Sequence, residues 1–294
     1  MADRMSEFAL DRQRQVRYPI LFAQNSTGVN VLSRFCPLFS SSSGNSIYIG
    51  GSDGGVLVDA GVSAKQLTGA LDRLGIAMDS IRAILVTHEH SDHVKGLRVM
   101  AKRNHLPVYA SHGTAEQLRK NGTADGSFQL TEIACEPFEA AGMRITPFPI
   151  SHDCAQGFGY ALEMPDSRRA AVVTDLGQVT PEVLAAVEGC DLVLLESNHD
   201  YGMLRNGAYP LYLKQRILSK FGHLSNQACA ETAARLMASG ATRFFLGHLS
   251  RENNTPQLAR QATLAALELS GGKERLDFML EVAPACDAQR VMVF

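Results

Sequence analysis

The chain has 294 residues, 45% of them hydrophobic and 20% charged, which is enough apolar material for one large hydrophobic core. Its formal net charge of −2 excludes a generally basic nucleic-acid coat, but it allows a local basic surface around a site. The six cysteines are scattered singly, and no apolar run reaches the roughly 18 residues of a membrane span. We therefore expect a cytoplasmic protein that binds no membrane.

Residues 1–30 carry mixed charge and precede any regular hydrophobic alternation. This pattern predicts a poorly ordered N-terminal extension, followed by a single domain over residues 31–294. The first predicted strands lie in LSRFCPLF, SIYIG, GVLVDAG and IRAILVTH, with a helical pattern, AKQLTGALDRLG, before the last of them. The serine-rich stretch FSSSSGNS separates the first two strands, and its composition alone is compatible with a hinge, a hairpin turn or an ordered polar loop.

The rest of the chain repeats this arrangement of strands and helices. Helical spacing occurs in HVKGLRVMAKRNH, TAEQLRKNG, PEVLAAVEG, SNQACAETAARLMASG and TPQLARQATLAALELS. Strand-like runs are PVYAS, SFQLTEIACEPF, MRITPFPISH, GFGYALEM, RAAVVTD, CDLVLLES and TRFFLGH. Two strand-rich halves with attached helices predict a layered α/β fold, an αββα sandwich, in preference to a purely alternating doubly wound sheet.

The motif THEHSDH follows directly after the apolar run ILVT and supplies His88, His90, Asp92 and His93. Because a strand ends where such a polar run begins, we expect these side chains on a loop at the edge of a sheet. Imidazoles and a carboxylate at this density suit Zn²⁺ or Mn²⁺. The alternative is a solvated turn with incidental histidines.

Three further polar residues, His152, Asp175 and His248, terminate the apolar runs in FPISHD, AVVTDLG and RFFLGHLS. Each of them alone would be an ordinary loop residue. Together with THEHSDH, and in this order, they resemble the metallo-β-lactamase superfamily. The resemblance extends from about residue 32 to the last predicted helix, and it implies the αββα fold of that superfamily.

The resemblance also implies a binuclear site that holds two divalent metal ions, Zn²⁺ or Mn²⁺. One ion would be bound by His88, His90 and His152. The second ion would be bound by Asp92, His93 and His248, and Asp175 would bridge the two ions. Asp59, in LVDAG, matches a superfamily aspartate that supports ligands through hydrogen bonds. A turn aspartate after a strand is the alternative for Asp59.

An aspartate rather than a cysteine at the bridging position implies a phosphodiesterase or thioesterase, and not a true β-lactamase. Two metal ions suit phosphoryl transfer, because they can neutralise charge on the attacked phosphate. The segments LVLLESNHD and GHLSN look like the HEAT and HST segments of tRNase Z, so by resemblance Glu196 would orient His223 as the general acid. Asp92, Glu196 and His223 are therefore the candidate catalytic residues. The alternative for Glu196 is a buried structural carboxylate, and the alternative for His223 is a histidine that only begins a helix.

The overall likeness is greatest to the YycJ/WalJ branch of these phosphodiesterases, which shares SSGN, THEHxDH, ESNHD and GHLSN. That branch is associated with 5′-to-3′ DNA exonuclease activity. The resemblance implies a metal-dependent hydrolase of phosphodiester bonds, with DNA as the nucleic-acid substrate; a homo-oligomer is left open. The alternatives are a small ester or thioester metallohydrolase of the glyoxalase II type and a catalytically silent metal-binding interaction protein.

Five residues are candidates for substrate binding. Ser43 and Asn45 lie in FSSSSGNS, where backbone N–H groups and hydroxyls could hold a phosphate. His199, in ESNHD, could contact the substrate or make a structural hydrogen bond. Lys214 and Arg216 lie in YGMLRNGAYPLYLKQRILSKFG, which interleaves cations with aromatic rings and so offers phosphate contacts and base stacking. An amphipathic helix with its aromatic rings in the core is the alternative for this segment.

Overall fold

The structure is a computed structural model, and it describes residues 32–51, 53–286, 288 and 290–294. The predicted N-terminal extension, residues 1–30, lies outside these residues. The described chain folds into two seven-stranded sheets that face each other, with helices on both outer faces. The predicted αββα sandwich is confirmed.

The first sheet is built mainly from the N-terminal half of the chain. Its strands are β1 (Arg34–Ser41), β2 (Gly44–Gly51), β3 (Gly54–Val58), β4 (Ile81–Leu85), β5 (Val108–Ser111), β6 (Leu130–Ile133) and β14 (Met292–Val293). Their order is β14-β1-β2-β3-β4-β5-β6. The pairs from β14 to β3 are antiparallel, whereas those from β3 to β6 are parallel.

The second sheet has the same plan. Its strands are β7 (Phe138–Ala140), β8 (Met143–Pro149), β9 (Phe158–Glu163), β10 (Arg169–Val173), β11 (Leu192–Glu196), β12 (Arg243–Gly247) and β13 (Met279–Val282). Their order is β13-β12-β11-β10-β9-β8-β7. Antiparallel pairs join β7 to β10, and parallel pairs join β10 to β13. Parallel strands place several carboxyl ends at one edge of each sheet, which is where loops can assemble a site.

The helices begin and end where the sequence supplies caps. They are α1 (Ala64–Arg73), α2 (Ser91–Val94), α3 (Leu97–Asn104), α4 (His112–Lys120), α5 (Pro181–Val187), α6 (Tyr201–Asn206), α7 (Leu211–Ile217), α8 (Asn226–Ala238) and α9 (Pro256–Leu269). Ser63 caps α1 in a capping box with Gln66, and Thr180 and Thr255 cap the helices that begin with proline. Among the described residues, none of these helices combines the length and the apolar character that a membrane crossing requires.

The helix predicted over residues 93–105 is divided into α2 and α3 at Gly96. A Cβ atom at this position would lie 2.1 Å from the backbone oxygen of Val62. Such a contact is impossible for any other residue, so the chain needs glycine to bring the metal-motif loop close to the loop after β3.

Three buried layers hold the sandwich together. Side chains of the first sheet pack against α1 and α3, for example Leu71 and Leu97, and the two sheets pack face to face through residues such as Tyr160. The second sheet packs against α5, α8 and α9, with Leu236 in that layer. Full burial of one such side chain stabilises the fold by about 1.5–3 kcal/mol.

The serine-rich stretch FSSSSGNS forms the end of the hairpin between β1 and β2. Ser41 pairs with Gly44, so the turn contains only Ser42 and Ser43. The hinge interpretation of this stretch is therefore wrong, because both flanking residues belong to paired strands. The stretch forms an ordered β-hairpin turn.

Candidate metal centre and catalytic pocket

Polar residues that follow strand ends in both sheets meet at one edge of the sandwich. Three of them have left-handed backbone conformations: Asp59 with φ 65°, Asp175 with φ 56° and His248 with φ 55°. Each non-glycine residue in such a conformation costs on the order of 1–3 kcal/mol, and conformations of this kind cluster at functional sites. The packing of the two sheets evidently holds these side chains at the edge in spite of that cost.

Potential ligand atoms converge here in small groups, and within each group they lie within 4.8 Å of one another. The groups are His88, His90 and His152; Asp92, His93 and His248; His88, His93 and Asp175; and Asp175, Glu196, His223 and His248. The first two groups coincide with the two ligand sets that the superfamily resemblance implies. Asp175 belongs to two further groups, which draw on both sets, as the predicted bridging position requires.

Two histidines of the cluster have a buried ring nitrogen without a hydrogen-bond partner in the described part of the chain, and this shows whether the cluster suits a metal ion. Nε2 of His88 and Nε2 of His248 are buried and have no hydrogen-bond partner within the described residues. The Nδ1 atom of His88 lies 3.0 Å from Thr87 Oγ1, and the Nδ1 atom of His248 lies 2.8 Å from Glu196 Oε1. A histidine with one nitrogen anchored and the other facing inward is typical of metal sites, so the residues fit divalent cations.

Asp59 lies behind the cluster and is completely buried. Its Oδ2 accepts a hydrogen bond from His93 Nδ1 at 2.7 Å, and its Oδ1 accepts one from the Thr87 backbone N–H at 2.8 Å. Burial raises the pKa of Asp59, and the neighbouring His93 partly offsets that rise. This geometry fits the predicted supporting role of Asp59, because the carboxylate orients His93 without facing the centre.

The two candidates from the hairpin turn differ in position. Asn45 is fully buried, and its Nδ2 lies 3.1 Å from His93 Nε2 and 3.4 Å from Asp92 Oδ2. It therefore contacts predicted metal ligands instead of a surface that a substrate can reach. Ser43 is exposed at the tip of the turn. Of the two, only Ser43 is open to a ligand from solvent.

Glu196 connects two histidines of the site. Its Oε1 lies 2.8 Å from both His223 Nδ1 and His248 Nδ1, and its Oε2 accepts backbone hydrogen bonds from Leu176 and Leu224. Burial alone would raise the pKa of Glu196, but His223 and His248 outweigh burial and hold it below its usual value. Glu196 is therefore an ionised carboxylate that fixes the orientation of His223, whose side chain remains 14% exposed.

His199 is buried, whereas a residue that contacts the substrate would have to be accessible. It is only 1% exposed, and neither ring nitrogen has a hydrogen-bond partner within the described residues. The structure thus shows neither the structural hydrogen bond nor an open contact surface for a substrate. Burial lowers the pKa of His199 to about 4, so the ring is neutral at neutral pH.

Replacement of His199 by phenylalanine is expected to make the protein less sensitive to acid. Because the folded pKa is lowered, the unfolded chain binds the proton first as pH falls below about 6.5, and the parent loses stability down to about pH 4. The loss amounts to about 3 kcal/mol at pH 4 and is absent in the variant. Urea unfolding of both proteins at pH 7 and pH 4 measures it, and parallel pH dependence in the two proteins would contradict the assignment.

The segment with interleaved cations and aromatic rings, residues 201–221, forms α6, α7 and the turns around them. Tyr201, Tyr212 and Phe221 are 56%, 73% and 48% exposed, so the alternative that places these rings in the core is wrong. Lys214 Nζ donates to the backbone oxygens of Arg205 and Gly207, at 2.8 and 2.7 Å. Lys214 therefore holds the turn between the two helices and is not a free cation.

The segment 201–221 reaches the metal centre through two contacts. Arg216 Nε donates to Asp153 Oδ2 at 2.5 Å, and the other oxygen of Asp153 lies 3.3 Å from His152 Nε2. The backbone oxygen of Lys220 accepts a hydrogen bond from Ser151 Oγ. The exposed rings and Arg216 thus lie beside the loop that carries His152.

Three residues of the site carry no prediction from the sequence. Thr87 contacts Asp59, His88 and His93 at once. Glu89 Oε1 accepts a hydrogen bond from the Ala155 backbone N–H at 2.8 Å and joins the two histidine-bearing loops. Asp153 lies between His152 and Arg216. Thr87, Glu89 and Asp153 each adjoin a motif histidine in the sequence, and that adjacency is the signal that could have identified them.

A two-sheet sandwich with paired histidine and aspartate clusters at one edge defines a class of metal-dependent hydrolases. The family model described as "Beta-lactamase superfamily domain" matches residues 55–249. The chain therefore belongs to the metallo-β-lactamase superfamily, and it is a metal-dependent hydrolase.

Known relatives give a finer comparison. The chain is 37% identical over 240 residues to exodeoxyribonuclease YycJ of Bacillus anthracis, covering 81% of this chain and 90% of that protein. It is also 37% identical over 237 residues to exodeoxyribonuclease WalJ of Streptococcus pneumoniae, covering 80% and 88%. Among solved structures, the metallo-β-lactamase fold protein YhfI from Bacillus subtilis superimposes with a TM-score of 0.68 at 15% identity, covering 90% of this chain and 100% of that one. The structural likeness supports the fold alone.

Proposed function

We propose that this protein is a binuclear phosphodiesterase that degrades DNA from its 5′ end, as a 5′–3′ exonuclease. The observation that carries the proposal is the pair of ligand groups around Asp175, with the inward nitrogens of His88 and His248 free of hydrogen bonds. The names of the relatives from Bacillus anthracis and Streptococcus pneumoniae support DNA as the substrate. The absence of disulfide bonds among the six cysteines favours a cytoplasmic location.

Seven residues would hold the two metal ions, in the sets named from the sequence. They are His88, His90 and His152 for one ion, Asp92, His93 and His248 for the other, and Asp175 between them. Zn²⁺ or Mn²⁺ bound there would activate water and neutralise charge on the attacked phosphate. The ligand atoms, imidazole nitrogens and carboxylate oxygens, suit either ion.

The other catalytic work falls to side chains around this centre. Glu196 holds Nδ1 of His223, so Nε2 is the atom from which His223 would give a proton to the leaving oxygen. The ionised Glu196 also fixes the orientation of the imidazole ring from which this transfer would occur. Asp92, whose side chain is 23% exposed, would orient the attacking water from the solvent side.

Digestion of end-labelled nucleic acid tests the proposal directly. Single- and double-stranded DNA and RNA, labelled at either end, are incubated with protein loaded separately with Zn²⁺ and with Mn²⁺. We expect a 5′ label on DNA to be released as a short product at once, while a 3′ label persists in progressively shorter strands. Release of the 3′ label first would contradict the proposed 5′–3′ polarity, and cleavage of RNA alone would contradict DNA as the substrate.

Small substrates separate this function from the alternatives. We expect hydrolysis of bis-p-nitrophenyl phosphate and none of a glutathione thioester. The opposite result would favour the ester or thioester hydrolase. A protein that binds metal and hydrolyses neither compound nor any nucleic acid would be the silent interaction protein.

Replacement of Arg216 and Lys220 by glutamine is expected to weaken DNA binding. These exposed cations adjoin the His152 loop, whereas Lys214 is unsuitable for the test because it holds the backbone. Each lost phosphate contact reduces the slope of log K against log salt by about 0.7 for a single strand, so the slope should become shallower by about 1.4. Fluorescence anisotropy with labelled DNA measures the slope. Turnover of bis-p-nitrophenyl phosphate should fall far less than DNA binding, because all seven predicted metal ligands are retained.

The matched control removes two exposed arginines near the opposite edge. Arg82 begins β4 and Arg235 lies in the last turn of α8, away from the strand ends that carry the site. The double glutamine variant of these residues should keep the parental slope. An unchanged slope in the Arg216 and Lys220 variant would show that the segment 201–221 does not bind the strand.

A further inference from the structure

A second basic surface lies beside the metal motif. Between residues 93 and 115 the sequence has four Lys or Arg residues and no Asp or Glu. They are Lys95, Arg98, Lys102 and Arg103, and all four are exposed. We call these four residues the α3 basic surface. Arg98 and Lys102 are four positions apart on α3, so their side chains lie on the same face of the helix.

The charges of this surface are mostly uncompensated. Arg98 lies 3.4 Å from Asp125, but both side chains are exposed, and such pairs contribute little. Within the described part of the chain, no carboxylate pairs with Lys95, Lys102 or Arg103. A protein with a net charge of −2 thus keeps a local positive field at this position.

A cleft of about 460 Å³ lies between the α3 basic surface and the metal motif. Lys95 and Arg98 line it together with Glu89 and Ser91, which belong to the metal motif, and with the loop that follows α4. The segment 201–221 instead adjoins the loop of His152. Cations therefore lie next to two loops that carry predicted metal ligands, the THEHSDH loop and the His152 loop.

Glu89 determines where in the cleft a phosphate can bind. Its carboxylate lies on the wall next to the motif, with Oε1 bonded to the Ala155 backbone N–H. A phosphate is repelled there, so contacts with an anionic strand fall to the exposed cations further along α3. Lys102 lies in the last turn of α3, nine positions after His93 in the chain, so we expect a dinucleotide at the metal centre not to reach it.

We propose that the α3 basic surface binds backbone phosphates of the substrate strand next to the THEHSDH loop, in addition to the contacts that the segment 201–221 would make next to the His152 loop. This proposal rests on the proposed nuclease function and names a second binding surface for the same substrate. Phosphate contacts carry no sequence information, so the surface adds affinity and register without base preference. Its occupant is a nucleic-acid strand several nucleotides long.

The test compares substrates of different length in the metal-loaded, full-length protein. Arg98 and Lys102, which share one face of α3, are both replaced by glutamine, and the Arg82 and Arg235 double glutamine variant serves as the control. We expect the salt slope for a long single strand to become shallower by about 1.4, as for two lost contacts. KM for the long strand should rise, while kcat/KM for a dinucleotide and for bis-p-nitrophenyl phosphate stays at the parental value.

The outcomes separate the proposal from the function on which it rests. A parental salt slope and parental KM on the long strand would overturn the binding surface and leave the nuclease function intact. An equal loss on the dinucleotide and the long strand would also overturn it, because the effect would then lie at the metal centre. A parent protein that hydrolyses small phosphodiesters and degrades no nucleic acid would overturn both.

Discussion

Replacement of Asp175 by asparagine is expected to remove most of the bound metal and to abolish turnover. Asp175 is buried and belongs to groups that contain ligands of both predicted ions. Burial raises the pKa of its carboxyl group, but the imidazoles of His248, His93 and His88 outweigh burial and hold it well below the usual value. Asparagine keeps the size and tolerates the left-handed φ of 56°, so the fold is retained while the charge is lost.

Metal content by mass spectrometry and hydrolysis of bis-p-nitrophenyl phosphate measure the two effects. Asp59→Asn is the matched control, because Asp59 is also buried and left-handed but bonds to Thr87 and His93. Loss of such a supporting partner typically weakens metal affinity about 10- to 100-fold. We therefore expect Asp59→Asn to recover metal at high concentration and Asp175→Asn not to recover it. Two metal ions with parental turnover in Asp175→Asn would remove this residue from the site.

The pattern of strands and helices predicted the fold, and the superfamily resemblance implied that the site residues meet; the fold now supplies a physical reason for that proximity. An apolar run that ends at a polar residue marks the end of a buried strand, and parallel strands end at a common edge. β10, β11 and β12 are parallel, and they are followed by or end at Asp175, Glu196 and His248. The order of these residues in the chain thus contained most of the information about their proximity.

Other features depend on contacts between segments distant in the chain, which local patterns do not encode. Asn45 packs against Asp92 and His93, 47 and 48 positions away, and its serine-rich surroundings gave no sign of these contacts. The alternation of cations and aromatic rings in the segment 201–221 did not reveal that Lys214 bonds to backbone oxygens. That role arises from the turn between α6 and α7, which exists only after the chain has folded.

Glu196 shows how one buried carboxylate can link the two parts of the proposed mechanism. It anchors His248, a predicted metal ligand, and His223, the predicted general acid, through the same oxygen atom. A change at Glu196 would therefore alter both metal binding and proton transfer. His223 is the better position for an experiment, because its replacement leaves the bond from Glu196 to His248 in place.

Replacement of His223 by alanine is expected to leave the metal content unchanged and to lower kcat on DNA by roughly 10²- to 10⁴-fold, as is typical for loss of a general acid. The reason is that the alkoxide leaving group of DNA needs a proton, whereas p-nitrophenolate leaves without one. Rates on oligonucleotides and on bis-p-nitrophenyl phosphate should therefore separate, with the smaller loss on the second substrate. His112→Ala is the control, because that histidine is 73% exposed and pairs with Glu132 outside the site. Equal losses on both substrates, or loss of metal, would assign His223 to the structure of the centre instead of to proton transfer.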